Sequence, residues 1–400
     1  SSPLSVLGAS DHGSMRILHT ADWHIGRTFH GHSTLNALGQ VLEAIPRLVR
    51  EREIDVVLAA GDMFDSAVPS ADAFTLLQDT LVAIRAAGAR VILISGNHDS
   101  AARLGFNASF ARFGEVHIVT DPEAIGAPIT IADRHGEVDF HCVPFLEPAL
   151  IRHRWPEAQL RNQADALAYA MQRVRASMAP RPQARSVVLA HTFAAGGEAE
   201  SSDSERAITV GTVDAVPLRT FDGADYVALG HIHGRMRLAE HIRYSGAMLH
   251  YSFSEAAKPR GAWLVELDHA GLSSVEWVDL PVPRPLVVLR GELEDLLTSS
   301  KHERYREHWV SAILTDSVRP ADAMRRLQSR FAWCAHLEHR PVAVRGDGAA
   351  SYAERVQGKS DEEILDAFLE HVRSGEGVTE AESELFADLL AEQRAEALTR

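Results

Sequence analysis

The sequence predicts an α/β fold: a two-sheet sandwich flanked by helices, followed by a small α/β capping domain and a C-terminal helical hairpin. Three observations carry that prediction. Residues 15–95 alternate continuous apolar runs with stretches of helical periodicity, which gives β-α-β-α-β and a parallel sheet covered on both faces. Short β-like pieces between residues 115 and 146, separated by Gly, Pro and Asp, imply a second, more antiparallel sheet packed on the first. Five apolar runs each end on a cluster of Asp, Asn or His, and the carboxyl ends of strands are where open α/β sheets build their sites.

The elements follow in order. Ile17-Leu18-His19-Thr20 runs into Ala21-Asp22-Trp23-His24 as the first strand and its turn. Leu35, Leu38, Val41, Leu42, Ile45, Leu48 and Val49 recur at helical spacing and predict one helix over 35–52. The second strand, 54–61, runs into Gly61-Asp62-Met63-Phe64-Asp65. Ser70 or Asp72 can cap the next helix, and Gly88 stops it. The third strand, 90–95, ends in Ser95-Gly96-Asn97-His98-Asp99. Leu104, Phe106, Phe110 and Phe113 then belong to the core or to a surface that pairs two copies of the chain. A helix is predicted over 157–178. Val187–Ala190 runs into His191, and Tyr226–Leu229 into Gly230-His231-Ile232-His233; the polar stretch Gly196–Val213 between them is loop-like. Residues 242–280 are strands, and Pro281–Pro285 is a stiff linker.

Residues 286–345 repeat the β-α-β-α-β signal, with helices at 292–307 and 320–331 and a last strand near 335–344. Residues 360–372 and 379–397 are acidic amphipathic helices joined by the Gly-rich turn Ser374–Gly377. The expected organisation is a tag remnant or disordered leader over 1–14, a main domain over 15–280, a capping domain over 286–345 and an acidic helical tail over 346–400.

Composition narrows the function classes. Hydrophobic residues make up 46% of the chain and charged residues 24%, ordinary for a globular protein. No run approaches the roughly 18 apolar residues of a membrane span. Two cysteines, far apart, supply neither a zinc knuckle nor a disulfide framework, so the chain reads as cytoplasmic. The 21 histidines point to nitrogen and oxygen ligands, which suit manganese, iron, zinc or magnesium. The net charge of −15 excludes nucleic-acid binding by bulk charge. It is uneven, however: residues 346–400 carry 14 Asp/Glu against 5 Lys/Arg, whereas 284–345 carry 11 Lys/Arg against 8 Asp/Glu. DNA contact through one basic face is compatible with that asymmetry.

The strand-end rule gathers Asp22, His24, Asp62, Asn97, His98, His191, His231 and His233. Two divalent cations in one site stand roughly 3.5–4 Å apart and need a bridging carboxylate. Asp62 follows a glycine, which permits tight approach, and the pairs Asp22/His24 and His231/His233 are each spaced to converge on one centre.

The set Asp-x-His, Gly-Asp-x-x-Asp, Gly-Asn-His-Asp, a lone His after a strand and Gly-His-x-His resembles the calcineurin-like metallophosphoesterases. Ala21–Arg27, Gly61–Asp65 and Ile94–Ser100 look closest to the SbcD branch, nucleases that work with an SbcC-type ATPase. The resemblance implies one cation held by Asp22, His24, Asp62 and His233 and a second held by Asp62, Asn97, His191 and His231. It further implies that His98 is the catalytic imidazole and that Asp99 orients it. Mn(II) is the expected metal, with Mg(II), Fe(II) or Zn(II) as alternatives. Expected substrates are DNA duplex ends, hairpins and single strands, cut by a homodimer bound to the ATPase in double-strand break repair. Two other readings stand beside it: a small-substrate phosphodiesterase, and a non-catalytic DNA-end tethering subunit. Asp65 is either a loop cap or a support for the site. Arg27 is either a phosphate contact or a solvated side chain. The arginines between 152 and 185 are a solvated helix face or a DNA track.

Overall fold

The computed structural model describes residues 13–195, 215–341, 359–373 and 377–397. The leader before residue 13, the stretch Gly196–Val213 and residues 374–376 of the Gly-rich turn lie outside the described residues. The chain divides into two compact units, Ser1–Arg284 and Pro285–Arg400.

In the first unit, strands β1 (Met15–Thr20), β2 (Val56–Ala60), β3 (Arg90–Ile94) and β4 (Val116–Val119) pair in parallel. Every residue of β2 is buried, which is why the run is apolar throughout instead of alternating. Between the strands lie α1 (Leu35–Leu42), α2 (Ala44–Glu51) and α3 (Ala71–Ala87). The single helix expected over 35–52 is therefore two. Pro46 has no N–H to donate to the carbonyl one turn back, and the helix breaks at Glu43. Helix α3 begins at Ser70, whose Oγ accepts from Ala73 N, and ends at Gly88 with φ of 114°.

The second sheet contains β5 (Ile129–Asp133), β6 (Gly136–Val143), β7 (Arg185–His191), β8 (Tyr226–Gly230), β9 (Met236–Arg237) and β10 (Ile242–Tyr244). Its order is β9-β10-β8-β7-β6-β5. The expectation of a more antiparallel sheet is corrected here. The β6/β7, β7/β8 and β8/β10 pairs are parallel, and only the edge pairs β5/β6 and β9/β10 are antiparallel. Helix α4 (Gln163–Met178) makes one of the crossovers. It starts six residues later than expected, where Asn162 Oδ1 accepts from Asp165 N. Strands β11 (Gly261–Asp268) and β12 (Gly271–Asp279) return to the first sheet, giving the order β12-β11-β1-β2-β3-β4.

Three apolar layers hold this unit together. Ile17, Leu58 and Ile92 of the first sheet meet Phe140, Leu189 and Tyr226 of the second. Leu38, Ile45, Leu77 and Ile84 cover the outside of the first sheet, and Leu167, Met171 and Val174 cover the second. A polar pin crosses the central layer. His19 Nε2 lies 3.1 Å from Leu229 O and its Nδ1 2.9 Å from Tyr226 Oη. A carbonyl only accepts, so Nε2 carries the proton and Tyr226 donates to Nδ1. Burial pushes this imidazole down to about 3, so it stays neutral and fixes the end of β1 against the end of β8.

The second unit has a parallel three-stranded sheet, β13 (Leu286–Gly291), β14 (Trp309–Leu314) and β15 (Cys334–His339). Helices α5 (Leu293–Thr298) and α6 (Ala323–Arg330) pack on it through Leu293, Leu296 and Leu327. Helix α5 is shorter than expected: Thr298 Oγ1 donates back to Glu294 O, and a 3-10 turn follows over Ser300–Tyr305. Strand β15 likewise stops at His339, short of the expected 344. Helix α7 (Asp361–Val372) opens with a capping box between Ser360 and Glu363. It pairs with α8 (Glu380–Ala397) through Arg373 Nη2 to Glu382 Oε1 at 2.7 Å and Val378 N to Asp366 Oδ1 at 2.7 Å. No helix among the described residues is long and apolar enough to cross a membrane.

Candidate metal centre

All eight strand-end residues converge on one place, at the carboxyl ends of five strands drawn from both sheets. The turn after β1 supplies Asp22 and His24, that after β2 supplies Asp62, and that after β3 supplies Asn97 and His98. Strand β7 ends on His191, and β8 leads into His231 and His233. The turns are laced together. Asp22 N donates to Gly61 O and His24 N to Asp62 O, each at 3.0 Å. His98 N donates to Asp62 Oδ1 at 2.8 Å, and His231 N to Asp22 Oδ1 at 3.0 Å.

The backbone is strained where the site is built. Asp22, His24, Asp62 and His231 have φ of 53°, 46°, 54° and 113°. Such conformations cost on the order of 1–3 kcal/mol each and persist only where the surroundings over-determine them. Glycines make the approach possible. A Cβ on Gly96 would sit 2.1 Å from Asp62 Oδ1, and one on Gly230 would sit 1.8 Å from Ala60 O.

Three groupings have ligand atoms within 4.8 Å of one another: Asp22/His24/His233, His24/Asp62/His98 and Asp22/Asp62/His191. Asp62 Oδ2 stands between two imidazoles, 3.7 Å from His24 Nε2 and 3.4 Å from His191 Nε2. His24 Nε2 and His233 Nε2 face each other at 3.0 Å. His191 Nε2 lies 2.9 Å from Asn97 Oδ1, while the buried Asn97 Nδ2 has no hydrogen-bond partner. His231 belongs to none of the three groupings; its ring stands edge-on to His191, centroids 5.5 Å apart.

The electrostatics fit a cation. Burial would raise the Asp62 carboxyl, but His191, His24 and His98 hold it well below the usual carboxylate range. Burial would lower His191, and the Asp62 charge instead lifts it to about 9. Burial drives His233 down to about 3 and His231 well below its ordinary value. The buried Asp62 carboxylate, the converging imidazoles and the Asn97 amide oxygen form a donor set for a divalent cation.

His98 Nδ1 lies 2.8 Å from the carbonyl oxygen of Asp65 and so donates to it, which leaves Nε2 as the atom that takes up or releases a proton. The expected support from Asp99 is corrected. Its carboxylate accepts from the amides of Gly96 at 2.9 Å, Phe64 at 2.9 Å and Met63 at 3.1 Å. It thus ties the third turn to the second rather than reaching the His98 ring. Burial, then the charge of Asp62, pushes the Asp99 carboxyl up to about 7. Asp65, not Asp99, is the carboxylate beside these imidazoles. Its Oδ1 lies 3.4 Å from His24 Nδ1, 3.6 Å from His98 Nδ1 and 3.5 Å from Arg27 Nη1. Arg27 lies over the Tyr251 ring at 4.8 Å.

Sequence reasoning missed Tyr251, Glu255 and Arg260. The Tyr251 ring packs against His24 and His233, with centroids 5.7 and 6.1 Å apart. Glu255 and Arg260 form a buried ion pair beside His233. They come from the loop between β10 and β11, and no spacing rule ties that loop to a strand end.

Residues 15–235, more than half of the chain, match the calcineurin-like phosphoesterase family model. Residues 282–373 match the SbcD C-terminal domain, described as that of the type 5 capsule protein repressor. Among solved structures, TT1561 of Thermus thermophilus is 13% identical, with 66% of this chain and 99% of that one covered, at a TM-score of 0.40. GAP50, the anchor in the inner membrane complex of Plasmodium, is 11% identical over 84% of this chain and 100% of its own, at 0.39. A dimetal phosphatase from Danio rerio is 12% identical over 68% and 100%, at 0.39. The chain belongs to the calcineurin-like phosphoesterase family and carries an SbcD-type C-terminal domain behind the phosphoesterase domain.

Proposed function

We propose that this protein is a metal-dependent DNA nuclease of the SbcD type, acting on duplex ends, hairpins and single strands with an SbcC-type ATPase. The observation that carries the reading is the pairing of one phosphoesterase centre with a C-terminal match to the SbcD domain over 282–373. A small-substrate esterase needs no such appendage. Asp22, His24, Asp62 and His233 would hold one cation and Asp62, Asn97, His191 and His231 the other, with Asp62 as the bridge. When bound, two divalent cations, Mn(II) ahead of Mg(II), Fe(II) or Zn(II), supply an activated water and neutralise phosphoryl charge. The chain's own part is orientation. The Asp65 carbonyl oxygen holds the His98 ring, and His98 Nε2 would stabilise or protonate the leaving oxygen. The test is Mn(II)-dependent cleavage of a labelled hairpin beside bis-p-nitrophenyl phosphate, with and without the ATPase. Cleavage of the small ester alone would favour a small-substrate phosphodiesterase; cleavage of neither would favour a tethering subunit.

Two surfaces suit partners. Phe106, Phe110 and Phe113 are 74%, 72% and 83% exposed beside the outer face of α3, and fit a second copy of the chain. Light scattering should give a dimer that Phe106→Glu with Phe110→Glu converts to monomer; an undisturbed dimer would relocate the interface. In the tail, Phe368, Leu385 and Leu389 are 44%, 62% and 53% exposed. Helices as short as α7 are marginal alone in water, and these side chains suit a groove on a partner helix. Phe368→Glu with Leu389→Glu is expected to abolish co-purification with the ATPase while small-ester hydrolysis is unchanged. Undiminished complex formation would refute this docking.

A further inference from the structure

We propose that Glu255, braced by Arg260, is the positioning residue of His233: it keeps the imidazole proton on Nδ1 and so presents Nε2 to the cation. The inference rests on the ligand assignment above. Both charges are removed from water, Glu255 at 0% and Arg260 at 2% exposure. Such a pair is a weak stabiliser, because desolvation offsets most of the attraction. Its location explains it better.

Glu255 Oε2 accepts from Arg260 Nη2 and from Tyr251 N, the latter at 3.0 Å. Glu255 Oε1 is thereby aimed at the ring of His233, 3.6 Å from Nδ1. Arg260 Nη1 donates to the carbonyl oxygen of His233 itself, and Ala247 N donates to the same oxygen at 3.0 Å. One ion pair thus grips the residue at both backbone and ring.

The same arrangement recurs at His191, where Ala60 O stands behind Nδ1 at 2.9 Å while Nε2 faces the centre. An acceptor in that position fixes the tautomer of a metal-binding histidine and typically changes affinity by about 10–100-fold.

The test is Glu255→Gln in the full chain. Arg260 and Tyr251 both donate to the group at 255, so the glutamine oxygen stays with them. Its NH2 then faces His233 Nδ1, and the proton moves to Nε2. Titration of the metal-free protein with Mn(II) by calorimetry is expected to show two ions in the wild type. The variant should lose about 10–100-fold in affinity at one and keep the other. Imidazole 15N shifts of the metal-free protein should report Nδ1–H in the wild type and Nε2–H in the variant. Two ions bound with unchanged affinity, or an unchanged tautomer, would overturn the proposal. A wild type that binds no ion would instead refute the metal-centre reading. Should the glutamine variant fail to fold, Glu255→Asp is titrated in its place. It keeps the charge but withdraws the carboxylate from Nδ1, and the same loss at one ion or its absence decides.

Discussion

Replacing Asp62 with alanine is expected to remove both cations, not one. Asp62 is common to two of the three ligand groupings, and its Oδ2 lies between His24 and His191. Two unit charges 4 Å apart interact by about 4 kcal/mol at an effective dielectric of 20, so two divalent cations at the same distance repel by roughly 16 kcal/mol. Without the carboxylate between them, neither position retains its ion. Asp62→Asn is the control for folding, because it keeps an oxygen where Oδ1 accepts from His98 N. Elemental mass spectrometry of the purified variants decides. Two ions per chain in Asp62→Ala would rule out the bridge.

The second large effect is expected at His98. His98→Ala should keep both cations and the fold, because the tie from His98 to Asp62 runs through its backbone amide. Activity on DNA should fall by about 100- to 10,000-fold, the usual contribution of a general acid or base. The loss should be smaller for an ester with a good leaving group, which needs no proton from Nε2. Equal rates for variant and wild type in the metal-loaded state would make this histidine structural.

The eight strand-end residues were legible because continuous apolar runs mark strands buried on both faces, and such strands stop abruptly at the site. Asp62 and His191 need nothing beyond that rule. What the pattern left obscure was which carboxylate supports His98. Asp65 and Asp99 both fall in the right turns. Only the folded backbone shows that the amides of residues 63, 64 and 96 claim Asp99. The direction of the second sheet was obscure for a related reason. A short strand bounded by turn residues reads alike in either orientation, and pairing partners as distant as β6 and β7 leave no local trace. Glu255 and Arg260 were invisible, since two isolated charges in a loop look solvated until the chain folds around them.

The centre also dates the folding of the chain. His24 and His233, whose ring nitrogens meet at 3.0 Å, are 209 residues apart in sequence. No nascent or half-folded intermediate can assemble the ligands, because each sheet holds only part of them. On the proposed ligand assignment, cation capture is therefore expected as a late event that reports completion of the first unit, with its free energy accruing to the finished fold. In stopped-flow refolding, a metal-sensitive dye should respond no earlier than the slowest tryptophan phase. Capture ahead of that phase would place the ligands in an earlier intermediate.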